Sequence, residues 1–275
     1  MKTRSLLFVP AHMERFLSSA LKYVPDIIII DFEDALPPAK EHQARVLFQK
    51  WAREPGFQKA CVFMRITPDM LEDSWLAEEA VPHLEGIVLP KIKSPDEIKR
   101  LGDYLGKKAK TVKILALFET LEAFYDLGHF EKCAASLWGI GLGGEDYLGS
   151  LRATAHRDAL LYPRMQLVAM ARRKQLSVFD TVFLNYKDDE QIRREFAYSR
   201  SLGFDGKFLI HPRQISWAND AFGLSVDEIR VLKEIIAAFQ KNQEEKGSCV
   251  LEYHGQIYEK PHVDYFRTLL EDRNN

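Results

Sequence analysis

Cysteine is scarce in this chain, and neither a long apolar run nor a dominant charge is present. Cys61, Cys133 and Cys249 are the only three cysteines in 275 residues. Their wide spacing excludes a paired-Cys metal motif and the odd count does not suggest a disulfide framework, so reduced thiols in a cytoplasmic protein are expected. No uninterrupted apolar stretch approaches the ~20 residues of a membrane-spanning helix. Met1-Lys2-Thr3-Arg4 leads straight into a strand pattern without the apolar core of a secretory signal, which again points to the cytoplasm. Lysine and arginine number 38 against 40 aspartates and glutamates, a net charge of −2. That balance offers no general field for nucleic acid or an anionic membrane, so the expected partner is a small molecule. The chain also has no Gly-x-x-x-x-Gly-Lys-Ser/Thr phosphate loop, no His-Glu-x-x-His metal helix and no nucleophile elbow. It contains no low-complexity segment and no repeat beyond an alternation of strand and helix patterns.

That alternation is the main positive signal. With 46% hydrophobic residues the chain can bury a full core, and an α/β barrel of ~250 residues is ordinarily one domain. Eight short runs rich in Val, Ile, Leu and Phe read as buried parallel strands: Ser5–Pro10, Ile27–Phe32, Cys61–Ile66, Gly86–Lys91, Lys113–Glu119, Leu137–Gly143, Val178–Phe183 and Lys207–Ile210. Between them, segments such as Ala39–Trp51 and Glu190–Leu202 carry apolar residues three or four apart, the pattern of crossover helices. Ser94-Pro95-Asp96-Glu97 resembles a helix start, and Gly203 a helix stop. These elements predict an eight-stranded α/β barrel over residues 1–224 and a C-terminal extension over 225–275. The extension reads as an amphipathic helix Ser225–Gln240, a polar break at Lys241–Gly247, a strand-like piece Cys249–Ile257 and a last helix Pro261–Leu270. Its core is too small to fold alone, so it is expected to pack on a neighbouring subunit or to cover a site.

Charged residues recur at the predicted strand ends, which a closed barrel gathers at one mouth. Glu119 ends the fifth strand and Asp146 closes Gly139-Ile-Gly-Leu-Gly-Gly-Glu-Asp146 after the sixth. Adjacent strands lie ~4.8 Å apart, so the two carboxylates can reach one cation. Two carboxylates with water and substrate oxygens is a common way to hold Mg²⁺. After the second strand, alternation sends Asp31 and Glu33 to one side and Asp34 to the other. Glu33 and Asp34 suit hydrogen bonds to metal-bound waters or to a basic residue, although Asp34 equally suits a helix entry. Arg65 ends the third strand, where its fork of donors matches a substrate carboxylate or an internal pair with Glu33 or Asp31. Lys91 and Arg4 are weaker cases of the same argument for substrate binding. Lys91 is also the residue type of Schiff-base aldolases, a route made redundant by a metal site. His211, beside Pro212, reads more readily as structural than as a general base, and His12 and Arg15 suit phosphate or adenine.

Six segments together resemble the citrate lyase β-subunit-like branch of the HpcH/HpaI aldolase family. They are Arg4-Ser-Leu-Leu-Phe-Val-Pro10, Asp31-Phe-Glu-Asp-Ala-Leu-Pro-Pro38, Leu89-Pro-Lys91, Ala116-Leu-Phe-Glu-Thr120, Gly144-Glu-Asp146 and Gly203-Phe-Asp-Gly-Lys-Phe-Leu-Ile-His-Pro212. The resemblance implies a TIM (β/α)8 barrel, a homotrimer or higher multiple, Mg²⁺ as cofactor, and cleavage or formation of carbon–carbon bonds in citryl, citramalyl or malyl thioesters. It makes Glu119 and Asp146 the Mg²⁺ ligands and Arg65 a substrate-binding residue, with Glu119 also close to the substrate. The implied reaction is a retro-Claisen cleavage of an acyl-CoA or acyl carrier protein thioester to an oxo acid and an acetyl thioester.

The chain departs from the family pattern in three places. Ala11-His12 replaces the usual Gly after the first-strand proline, and Thr67 replaces an Asn two residues beyond Arg65. In the tail, Gly255-Gln-Ile-Tyr-Glu-Lys-Pro261 puts Glu259 where the family has a lid Asp that enters a neighbouring subunit's site. The extra methylene moves that carboxylate by ~1 Å, enough to change a rate by about 10²-fold. Asp264, beyond the proline, is a poor substitute. An acyl-CoA thioesterase, a free-acid class II aldolase and a non-catalytic CoA-ligand-binding protein are the alternative readings.

Overall fold

The computed structural model describes residues 3–106, 112–154 and 156–271, so Met1, Lys2 and the end of the predicted extension, 272–275, lie outside the described residues. Eight parallel strands close into a barrel in chain order: β1 (Ser5–Pro10), β2 (Ile27–Asp31), β3 (Val62–Arg65), β4 (Gly86–Leu89), β5 (Lys113–Phe118), β6 (Gly139–Leu142), β7 (Ser177–Asp180) and β8 (Gly206–Leu209). Since β1 pairs with both β2 and β8, the barrel sheet has no open edge. This is the (β/α)8 architecture that the alternating pattern predicts.

Side-chain parity divides the strands between two cores. Inward positions supply Leu6, Ile27, Ile29, Phe63, Val88, Leu115, Leu117, Phe179 and Phe208 to the barrel interior. The intervening positions, among them Ile28, Ile30, Met64, Ile87, Ala116, Phe118, Ile140 and Val178, pack under the helices. Large aromatics fill the interior, and the facing positions are glycines for that reason. A Cβ on Gly86 would lie 2.4 Å from the Phe63 ring, and one on Gly141 would lie 2.5 Å from Phe208. The same parity carries Asp31, Arg65 and Glu119 inward at the C-terminal mouth.

The helices mostly follow the predicted pattern. A short 3-10 turn, Pro38–Lys40, leads into Glu41–Trp51, while Asp188 caps Asp189–Ser201 by accepting the Gln191 N–H. Gly203, at φ 99°, ends that segment as predicted. Between β3 and β4 the crossover is a series of 3-10 turns and a π-helical turn rather than one helix. β7 ends three residues earlier than its apolar run suggests. Beyond Asp180 the backbone is bonded by side chains instead: Gln214 donates its amide to the Phe183 carbonyl.

The barrel unit spans Thr3–Phe222, and a separate C-terminal unit starts at Gly223. In that unit the helix Val226–Lys246 opens with a capping box of Ser225 and Glu228 and stops at Gly247, φ 61°. The predicted break at Lys241 is absent, because its Lys, Gln and Glu residues are good helix formers. The strand-like piece resolves into an antiparallel hairpin, β9 (Val250–Tyr253) and β10 (Gln256–Glu259). His254 and Gly255, at φ 49° and 75°, form its two-residue turn. The helix Lys260–Glu271 completes the unit, where Ile235, Phe239 and Val263 are buried. Among the described residues no helix is long and apolar enough to cross a membrane.

Candidate active site

At the mouth, Arg65 is the centre of a buried charge network. Its Nε and Nη2 donate to the two oxygens of Asp31 at 2.7 and 2.5 Å, a bidentate pair. Its Nη1 lies 2.9 Å from Glu33 and 3.3 Å from Asp34. The guanidinium rests 4.8 Å above the centre of the Phe8 ring. Burial opposes the charge of Arg65, but Asp31, Glu33 and Asp34 outweigh it and hold its pKa above the ordinary arginine value. Four contacts on five N–H donors leave one for a ligand.

Glu33 and Asp34 also meet on Lys91, whose Nζ is 2.5 Å from Glu33 and 2.7 Å from Asp34. The alternation argument had separated these two acids. The strand stops at Asp31, and the chain then turns, with the N–H groups of Glu33 and Ala35 bonded to the Asp31 carboxylate, so parity no longer applies. Burial raises the pKa of Glu33 despite the opposing charge of Arg65. For Asp34 burial is outweighed by hydrogen bonds to Lys91 and Glu33 and by Arg65, and its pKa falls. Lys91 is likewise held above the ordinary lysine value, its two carboxylate partners overcoming burial. An ammonium so stabilised is a poor Schiff-base nucleophile.

Lys91 contributes more through its backbone. At φ 47° it adopts the left-handed conformation, uncommon outside glycine, and its N–H points at Glu119 Oε1, 2.5 Å away. Glu119 is 2% exposed. Burial first, then the negative charges of Asp146 and Glu33, push its carboxyl up to about 7, against the pull of the Lys91 N–H and Arg65. Gly143 is required beside it, since a Cβ there would lie 2.0 Å from Glu119 Oε2.

Asp146 is exposed in the first turn of the helix Gly144–Leu151. It borders a cavity of about 360 Å³ together with Asp31, Arg65, Glu119, Glu145 and Thr181. Among the described residues no group of three or more His, Cys, Asp or Glu side chains is arranged to hold a metal. The donor set is instead a buried carboxylate and an exposed one beside open volume. This fits Mg²⁺, which keeps several waters and binds through one or two carboxylates.

The structure does not bring every predicted residue to this mouth. Arg4 stands at the N-terminal end of β1, where its guanidinium pairs with Asp26 at 2.9 and 3.1 Å and reaches the Asn219 carbonyl. Parallel strands put that end at the opposite face of the barrel, so Arg4 is a structural clamp and not a substrate-binding residue. Lys91 reaches the site through Glu119 and the acids rather than as a wall of the cavity. His211 accepts the Arg213 N–H through Nδ1 and stacks on Tyr186 at 4.4 Å, the structural role. His12 and Arg15 line a separate open depression of about 570 Å³ with Lys40. Glu259 ends β10, exposed, in the C-terminal unit. Sequence reasoning missed Gly143 and Thr181, although the parity of β6 and β7, continued past their ends, points to both.

Known proteins agree with this architecture. The sequence model of the HpcH/HpaI aldolase/citrate lyase family matches residues 4–212. Citrate lyase subunit beta of Haemophilus influenzae is 29% identical, over 98% of this chain and 96% of its own. The (3S)-malyl-CoA thioesterase of Cereibacter sphaeroides is 29% identical, over 94% of this chain and 90% of its own. The crystal structure of CitE from Mycobacterium tuberculosis, in complex with magnesium, acetoacetate and coenzyme A, has the same fold, with a TM-score of 0.78 at 22% identity over 100% of this chain and 99% of that one. With a barrel that carries the paired acids and the buried arginine in the matched region, the chain belongs to the HpcH/HpaI aldolase/citrate lyase family and is citrate lyase β-subunit-like.

Proposed function

We propose that this chain is an Mg²⁺-dependent carbon–carbon lyase that cleaves a short 3-hydroxyacyl thioester of the citryl, citramalyl or malyl type. The observation that carries the reading is one cavity bounded by Glu119, Asp146 and Arg65. Magnesium and coenzyme A in the CitE complex, and the lyase and thioesterase relatives, support it. Glu119 and Asp146 would hold Mg²⁺, which when bound polarises the hydroxy-acid oxygens and stabilises charge developing on them. Arg65 binds the carboxylate end of the substrate through its remaining N–H, and Asp31, Glu33 and Asp34 fix its orientation. Loss of the hydroxyl proton to a base lets the carbon–carbon bond break, giving an oxo acid and a thioester enolate that takes up a proton to become the acetyl thioester. Glu259, supplied by a neighbouring subunit, is the candidate for that proton traffic. The chain is then a cytoplasmic homotrimer or higher multiple whose C-terminal unit exchanges between subunits.

The test is mass-spectrometric detection of products from citramalyl-, malyl- and citryl-CoA with Mg²⁺, beside Glu119→Ala and Asp146→Ala. Paired acetyl-CoA and oxo acid, lost with EDTA and in both variants, supports the lyase and selects its substrate. The thioesterase relative, together with Glu259 in place of the usual lid Asp, favours a second reading, hydrolysis of the thioester. Free CoA with intact hydroxy acid is its signature.

A further inference from the structure

We propose that Thr181 is a positioning residue for Asp146, and so sets how tightly the site holds its cation. The proposal rests on the reading of Asp146 as an Mg²⁺ ligand. Thr181 is the first residue past β7, 3% exposed, on the wall of the cavity. Its Oγ1 accepts the N–H of Gly144 at 2.9 Å. Gly144 begins the helix that carries Asp146 two residues later, and a Cβ on it would lie 2.7 Å from that hydroxyl. Helix and hydroxyl are therefore in direct contact, and a shift of one shifts the carboxylate.

Thr181 is fixed from both sides. Asp180, its predecessor, is fully buried and accepts from Lys207 Nζ at 2.6 Å, Ser199 Oγ at 2.5 Å and Arg164 Nε at 2.9 Å. Arg164 continues to Glu195 at 2.7 Å. A buried ion network of this kind is weak evidence for stability, because apolar residues of similar volume often do as well. What it does here is hold the end of β7 in one arrangement. Two residues beyond Thr181, the Phe183 carbonyl accepts from Gln214 Nε2 at 2.8 Å. The Gln214 Oε1 accepts the N–H groups of Ile210 and His211 at 3.0 and 3.2 Å, which ties the segment to the end of β8. The Asp180 network, which the proposed chemistry does not use, thus acts on the site through Thr181.

The experiment titrates MgCl₂ alone into the full-length protein by calorimetry for wild type, Thr181→Val, Thr181→Ser and Asp146→Asn. Amide exchange over residues 143–148 is followed in EDTA. Thr181→Val keeps the shape and removes the acceptor, so its Mg²⁺ affinity should fall roughly tenfold or more, the usual cost of losing a partner that orients a metal ligand. Its amides at 144–147 should exchange faster, and turnover should recover at saturating Mg²⁺. Thr181→Ser should restore affinity and protection to about wild-type values. Equal affinity in Thr181→Val and wild type, equal losses in the Val and Ser variants, or unchanged exchange overturns the proposal. A wild type that binds no Mg²⁺, or binds it no better than Asp146→Asn, overturns the metal reading and this affinity role with it. A wild type that binds beside an equal Thr181→Val overturns this proposal alone.

Discussion

Glu119→Gln should make the metal-free protein more stable, by an amount that grows with pH. The Glu119 carboxyl titrates near 4.5 in an unfolded chain and near 7 in the barrel. Below pH 4.5 it is protonated in both states and costs nothing. As pH rises from 4.5 to 7, the unfolded chain releases the proton while the buried carboxyl keeps it, and stability declines throughout that window. Above pH 7 the carboxylate is ionised against its surroundings. At 1.36 kcal/mol per pH unit the full cost is roughly 3 kcal/mol. Glutamine keeps an oxygen for the Lys91 N–H and carries no charge to desolvate.

Thermal unfolding in EDTA at intervals from pH 5 to 8 measures the effect. The variant and wild type should nearly coincide at pH 5 and differ by about 5–10 °C at pH 8, with the variant higher. In MgCl₂ the gap at pH 8 should nearly close. The wild type gains about 2.7 kcal/mol when the metal is at 100 times its dissociation constant, and the variant gains little. A gap that stays flat from pH 5 to 8, or a variant less stable throughout, would refute the argument that burial sets the state of this carboxyl.

Gly143→Ala should displace Glu119 and lower turnover and Mg²⁺ affinity by about 10²-fold, whereas Gly102→Ala, in a helix interior with nothing within 4 Å, should raise stability by ~0.5–1 kcal/mol; paired Mg²⁺ titration and urea unfolding check both. Arg65→Met leaves Asp31 buried without its cation and Glu33 with Lys91 alone, and unfolding free energy in urea should drop by ~3–5 kcal/mol. Borohydride added with pyruvate should leave no covalent adduct on Lys91 by mass spectrometry, since its amine is held protonated by Glu33 and Asp34. Ser225→Ala removes the capping box and should cost about 1 kcal/mol locally, read as faster amide exchange at 226–229.

The barrel was legible because each strand is buried on both faces and reads as a continuous apolar run. Parity along those runs then places Asp31, Arg65 and Glu119 inward with no further information. The reading failed where the chain leaves the sheet. Asp34 follows the turn after Asp31 and not the strand, so it joins Glu33 on Lys91. Arg4 was misread for another reason: it stands at the start of its strand, and parallel strands place all starts at the far face. The Asp180 network gave no periodic signal, because its partners Arg164, Ser199 and Lys207 lie on other elements.

Even so, Thr181 left a trace in the order of residues. The pairing of Phe118 with Leu142 and of Gly141 with Phe179, continued toward the mouth, aligns Glu119, Gly143 and Thr181 in one inward layer. Gly143 must be small because Glu119 crowds it from β5, and Gly144 because Thr181 meets it from β7. Adjacent glycines at a strand end read as a flexible turn when taken alone. Between two flanking strands whose side chains converge on them, they mark where the Glu119 carboxylate crowds Gly143 and the Thr181 hydroxyl meets Gly144. There the Gly144 N–H bond to Thr181 ties the first turn of the helix bearing Asp146 to the end of β7.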